Sequence, residues 1–204
     1  MMVRTAFHRD QRGATAAEFA LVLPIFLLFL IGLIDVGRYA WSVNEAEKAT
    51  QIGARWAVVT DLVPSGLATY SFAVEGGIPQ GTPVGTDDFG SITCQSASGA
   101  VSCNAVCGAS CDWPTTIDTT AFDRIVARMR LIYPAISADN VVVEYNNSGL
   151  GFSGDPNGPD VSPLVTVRLR NMSFPMFFML GRRVPLPSFS YALTLEDAQG
   201  TIAN

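Results

Sequence analysis

Histidine and lysine are all but missing from this chain. Histidine occurs once, as His8, and lysine once, as Lys48. Beyond the first few residues there is therefore no means to build a Ser-His-Asp triad, a Cys-His dyad or a His-ligated zinc site. The sequence also lacks a Gly-rich phosphate loop and an H-E-x-x-H pair. Its serines sit in no recognisable activating context, so the roles an active site needs are unfilled and no enzyme, cofactor or metal is expected. Charge is scarce too. Charged residues make up 15% of the chain, against about 25% in ordinary soluble domains. The deficit points to a membrane segment or an assembly surface. The net charge is −5, and no basic stripe lies outside the N-terminus, which argues against nucleic acid as a partner.

What is abundant is apolar surface in one place. Ala14 to Ile34 is a run of 21 residues with a single charge, Glu18. As a helix it spans about 30 Å, the thickness of a bilayer core. Arg4, Arg9 and Arg12 precede it, and acidic residues dominate soon after. The positive-inside rule then puts the N-terminus in the cytoplasm and the rest of the chain outside. A secretory signal has a shorter apolar region, about 7–15 residues, ending in a small-x-small site. Here the run leads into LIDVGRYAW, which offers no such site. Glu18 has two readings. As a carboxylate near the cytoplasmic end it reaches the interface, or, since burial in lipid costs a few kcal/mol, it awaits a positive partner in an assembly. Pro24 interrupts the run and removes one backbone hydrogen bond. It reads either as a bend that serves subunit packing or as a kink that neighbours tolerate.

The stretch RGATAAEFALVLPIFLLFLIGLIDVGR resembles the TadE-like and TadG-like proteins of the tight-adherence (Tad/Flp) pilus system, pseudopilin-like members of the type IV filament superfamily. The close match runs from Gln11 to Tyr39, with a looser one over the C-terminal third. The resemblance implies cutting by a prepilin peptidase between Gly13 and Ala14. It also implies an assembly role for Glu18, Phe19 and Pro24. Phe19 departs from the family's Glu-Tyr pair by keeping the ring and losing the hydroxyl. After the cut Glu18 becomes the fifth residue, within reach of the new α-amino group of a neighbouring subunit. The implied setting is the bacterial inner membrane with a periplasmic head. The implied partners are the peptidase, other pilins or pseudopilins and the Tad assembly machinery.

The helix is expected to continue to Val59, supported by alanines at 40, 46, 49, 54 and 57 and by the i,i+3 pairs Asp35–Arg38 and Glu45–Lys48. Residues 60–118 read as a Gly/Ser/Cys-rich loop region, with a candidate strand at 68–74. All four cysteines, Cys94, Cys103, Cys107 and Cys111, lie in it. Outside the cytoplasm an even cluster reads as disulfides rather than metal, and three pairings are open. A second helix follows, with Thr120 and Asp123 as a capping box and Phe122, Ile125, Val126, Met129 and Tyr133 on one face. Pro134 stops it. NVVVEY, PLVTVRLR and SFSYALTL alternate with period two and read as strands of a sheet with one buried face.

Two apolar or acidic patches stay ambiguous. Met172 to Leu180 is too short to span a bilayer. It is either a buried hairpin connection or a surface against a subunit or the membrane, flanked by Arg182 and Arg183. Asp155, Asn157 and Asp160 share one loop, short of the EF-hand order and rich in turn formers.

The expected fold is thus α+β and pilin-like. It comprises a cytoplasmic leader (1–13), a transmembrane helix (14–34) and its continuation into the head (35–59). The loop region (60–118) follows, and then a helix with a small antiparallel sheet (119–204). The expected function is structural, that of a minor pilin or pseudopilin in a pilus that serves adhesion. The competing reading is a membrane-anchored periplasmic binding module with no filament role.

Overall fold

The computed structural model describes residues 12–108, 111, 113, 114, 116–156 and 159–195. Most of the expected leader, with Arg4, His8, Arg9 and Asp10, and also Asn157, lie outside the described residues. The elements give the α+β architecture: helix α1 (Arg12–Ala57), short helix α2 (Ser65–Thr69), strands β1 (Ser91–Ala97) and β2 (Ala100–Val106), helix α3 (Thr119–Arg130), then β3 (Val141–Asn146), β4 (Leu164–Leu169), β5 (Ser173–Pro175), β6 (Arg183–Pro185) and β7 (Phe189–Thr194).

Helix α1 runs unbroken for 46 residues through Pro24. The chain divides into two compact units at Trp41 and Ser42. Residues up to 41 join residues 173–184 in one unit, and residues 42–172 with those from 185 onward form the other.

In the second unit five strands form an antiparallel sheet in the order β2-β1-β3-β4-β7. Val141, Val143 and Tyr145 of β3, and Val165, Val167 and Leu169 of β4, are fully buried, as their period-two spacing requires. The end of α1 packs here through small residues. Ala46, Ala49, Ala54 and Ala57 are buried. A Cβ placed on Gly53 would meet Met129 of α3 at 2.8 Å and Val167 of β4 at 3.4 Å. Helix, helix and sheet therefore approach closely at a glycine. The apolar face of α3 is buried as its spacing predicts, from Phe122 through Met129. Its N-cap, however, is Asp118, whose carboxylate accepts from the backbone N–H groups of Thr120 and Ala121. The expected Thr120–Asp123 box is displaced because Asp118 stands first at the helix mouth and is a stronger N-cap than threonine.

Two other expectations change. Residues 68–74, a candidate strand, hold the end of α2 and a turn. The 60–118 stretch, expected as loop, contains the β1–β2 hairpin. Its turn is Ser98-Gly99, both at positive φ (53° and 83°), which matches the twist of paired strands in a two-residue connection. The hairpin is tied to the rest of the sheet end by Asp139, which accepts from the Ser96 hydroxyl at 2.6 Å. That bond holds the Asp139 carboxyl below the usual carboxylate range against an opposing desolvation, with the backbone N–H groups of Gly99 and Ser98 assisting. Its contribution to stability is present above the ordinary aspartate pKa and is lost as pH falls through the lowered value.

Candidate membrane and assembly site

The first unit begins with the segment that carries the expected processing and assembly residues. Gly13, Glu18 and Phe19 are all exposed on α1. Around Gly13 the backbone is open, with nothing within 4 Å of a Cβ built there. Ala14 is helical, and its side chain is not among those described. From Leu21 to Ile34 the large apolar side chains stand exposed, Phe29, Ile25 and Leu33 among them. A soluble core helix would bury such a face. α1 is the one helix among the described residues long and apolar enough to cross a membrane.

Where the apolar run stops, the helix carries a polar clamp. Asp35 follows Ile34 directly and is only 2% exposed. One carboxylate oxygen pairs with Arg38 at 3.0 Å. The other accepts the backbone N–H of Phe178 at 2.6 Å. The Arg38 guanidinium lies over the rings of Phe177 (4.0 Å) and Phe174 (4.9 Å), a favourable cation–π geometry. Tyr39 meets Phe174 edge to face at 6.0 Å. The i,i+3 pair expected merely to support the helix thus grips the β5–β6 hairpin. The signal in the sequence was an acid placed immediately after an apolar run, but its partner lies 143 residues away.

The Met172–Leu180 segment divides between its two readings. Met172 and Phe174 are buried, whereas Phe177, Phe178, Met179 and Leu180 are exposed.

In the second unit the cysteines pair as Cys94–Cys103 and Cys107–Cys111. The first bridge joins directly opposed residues of β1 and β2, so strand register selects it from the three possible connectivities. The second closes a four-residue separation just beyond β2. Each bridge should contribute about 2–3 kcal/mol by loop closure, the longer loop more. Thiol labelling of denatured, unreduced protein should find no free cysteine. Four labelled thiols would overturn the pairing. No group of three or more His, Cys, Asp or Glu residues suited to a metal occurs among the described residues. In the 154–160 loop the Asp160 carboxylate accepts the backbone N–H of Asp155, the use a turn makes of aspartate, and also the buried N–H of Phe72, 88 residues away.

Neither the curated proteins nor the solved structures contain a match to this chain. The family model described as TadE-like protein matches residues 13–55. The match starts at Gly13 and covers nearly all of α1. The family implies a structural protein associated with the Tad pilus and the membrane. Along its long N-terminal helix, over residues 13–55, this chain is similar to the TadE-like proteins.

Proposed function

We propose that the chain is a minor pilin or pseudopilin that takes part in assembling a Tad/Flp-type pilus. In this reading α1 crosses the inner membrane with its N-terminus in the cytoplasm, and residues 42–172 form most of a periplasmic head. A prepilin peptidase cuts between Gly13 and Ala14, and Glu18, Phe19 and Pro24 pack among the helices of other subunits. The observation that carries it is a TadE-like match that begins at Gly13 and continues into an apolar helix whose large side chains stand exposed among the described residues. An unburied apolar face of that length needs lipid or other helices around it.

The test is N-terminal sequencing of the membrane-extracted protein from cells that express the peptidase. It should begin at Ala14, and Gly13→Leu should retain the leader. Because the space around Gly13 is open, leucine there does not disturb the fold, and a lost cut reports on the peptidase. An intact Met1 or Met2 in the wild type would favour a simple membrane anchor instead.

A further inference from the structure

The tip of the β5–β6 hairpin presents apolar side chains to its surroundings at a particular height on α1. Leu180 is 98% exposed, Phe177 63% and Phe178 53%. The turn is closed by backbone bonds from Leu180 N–H to Phe177 O and from Gly181 N–H to Met176 O. It holds Leu180 at φ 53° and Gly181 at φ 81°. A bulky non-glycine residue in the left-handed region is uncommon and strained. Here the turn tolerates that strain and presents a leucine that is almost fully exposed among the described residues. Contiguous exposed apolar surface of this kind marks an interaction site.

The clamp fixes where the tip lies. Phe178 is bound through its N–H to Asp35, and its ring lies 3.8 Å from a Cβ built on Gly32. The run Ala14 to Ile34 accounts for about 30 Å of helix, one hydrocarbon core. Gly32–Asp35 therefore falls at the boundary where that core meets the headgroups. Beyond it α1 continues with Tyr39 and an exposed Trp41, aromatic residues of the kind enriched at that level. Behind the tip stand Arg182 and Arg183, both exposed, with Arg183 also bonded to the Ser173 hydroxyl at 2.8 Å. Apolar tip, flanking arginines and a fixed height match an element that lies in the interface beside anionic lipid headgroups.

We propose that Phe177–Leu180 inserts into the outer interface of the bilayer that α1 crosses. This gives the protein a second membrane contact, with Asp35 and Arg38 as the residues that position it. The inference rests on α1 being a membrane span. It assigns the exposed tip to phospholipid rather than to a second copy of the chain or another subunit.

The experiment uses the full chain in vesicles of phosphatidylethanolamine and phosphatidylglycerol. Its native cysteines are paired, so a single added cysteine takes an environment-sensitive fluorophore. Probes are placed in turn by Leu180→Cys and Leu27→Cys, and lipids brominated at shallow or deep acyl positions serve as quenchers. The expected result is a blue-shifted Leu180→Cys probe quenched by shallow bromines, and a Leu27→Cys probe quenched by deep ones. Adding Asp35→Ala should remove the quenching at position 180 and leave that at position 27. A quenched probe at 27 with a water-like, unquenched probe at 180 overturns the tip insertion alone. A blue-shifted probe at 180 that no lipid quenches means a protein surface covers the tip, and also overturns it. An unquenched probe at 27 defeats the span itself.

Discussion

Glu18→Ala should leave membrane insertion intact and weaken association with partner pilins by roughly a hundredfold or more. In the single chain Glu18 is exposed among Phe19, Leu21 and Val22, with no salt bridge to it among the described residues. Leader removal would take away Arg4, Arg9 and Arg12, the nearest cations in the sequence. In lipid alone the carboxylate therefore costs a few kcal/mol, and alanine relieves that cost. In the proposed assembly a neighbour's α-amino group at Ala14 would supply the missing charge, shielded from solvent screening. Taking away one partner of such a pair strands the other charge and costs about 3–5 kcal/mol, which is the stated loss of affinity. Co-purification of tagged wild-type and Glu18→Ala protein with the other pilus subunits measures it, beside a pilus-formation assay. If the variant associates and assembles like wild type, Glu18 is only an interfacial carboxylate and the pairing mechanism fails.

Asp160→Ala should destabilise the second unit by about 3–4 kcal/mol, since hydrogen bonds to a charged group contribute about 1.5–3 kcal/mol each. Asp160 is 5% exposed. Its two oxygens accept the Phe72 N–H at 2.7 Å and the Asp155 N–H at 3.1 Å. Phe72 is itself among the largest fully buried side chains. Alanine leaves that backbone N–H buried without a partner, where water cannot replace the lost oxygen. Total stabilities of domains are about 5–15 kcal/mol, so the loss is a large fraction. Asp160→Asn should fall between the two, because one amide oxygen remains while its NH2 faces a donor. Urea unfolding of the detergent-solubilised protein reads both. An alanine variant that unfolds at the wild-type midpoint would show that the loop holds itself by other means.

The sequence by itself determined the features whose signal is local. A helix long and apolar enough to cross a membrane is a matter of composition over 21 contiguous residues, Ala14 to Ile34, and needs no partner to be read. The buried face of α3 and strands β3, β4 and β7 came from helical and period-two spacing of large apolar residues, whose contrast with their neighbours is high. The expected cut after Gly13 and the assembly role expected of Glu18, Phe19 and Pro24 rest on resemblance to TadE-like proteins, which lies within one short segment and needs no tertiary partner to be read. The β1–β2 hairpin was not legible. Its inward positions are Ile92, Cys94 and Ser96, so only one of the three is a large apolar residue and the alternation carries little hydrophobic contrast. The Ser98-Gly99 turn alone hinted at it.

Only the tertiary structure decided what depends on residues far apart in the chain. Strand register put Cys94 opposite Cys103 and so selected one cysteine pairing from three. Asp118 displaced Thr120 as the cap of α3 while its own backbone N–H bonds to the Val63 carbonyl, a contact no local pattern encodes. Tyr145 shows the same limit. Its alternation placed it inward, but its hydroxyl accepts the Val63 N–H at 3.2 Å across 82 residues, and the burial it shares with that bond pushes the phenol up from its ordinary value. Asp35 reads as half of an ordinary helix-stabilising pair. It becomes a buried clamp because the chain returns to it at Phe178, and an aspartate can be buried only where donors converge on it. The physical reason is common to all four. Local spacing sets which face a side chain takes, whereas the partner that satisfies a buried polar group or a bridge is chosen by how distant segments pack.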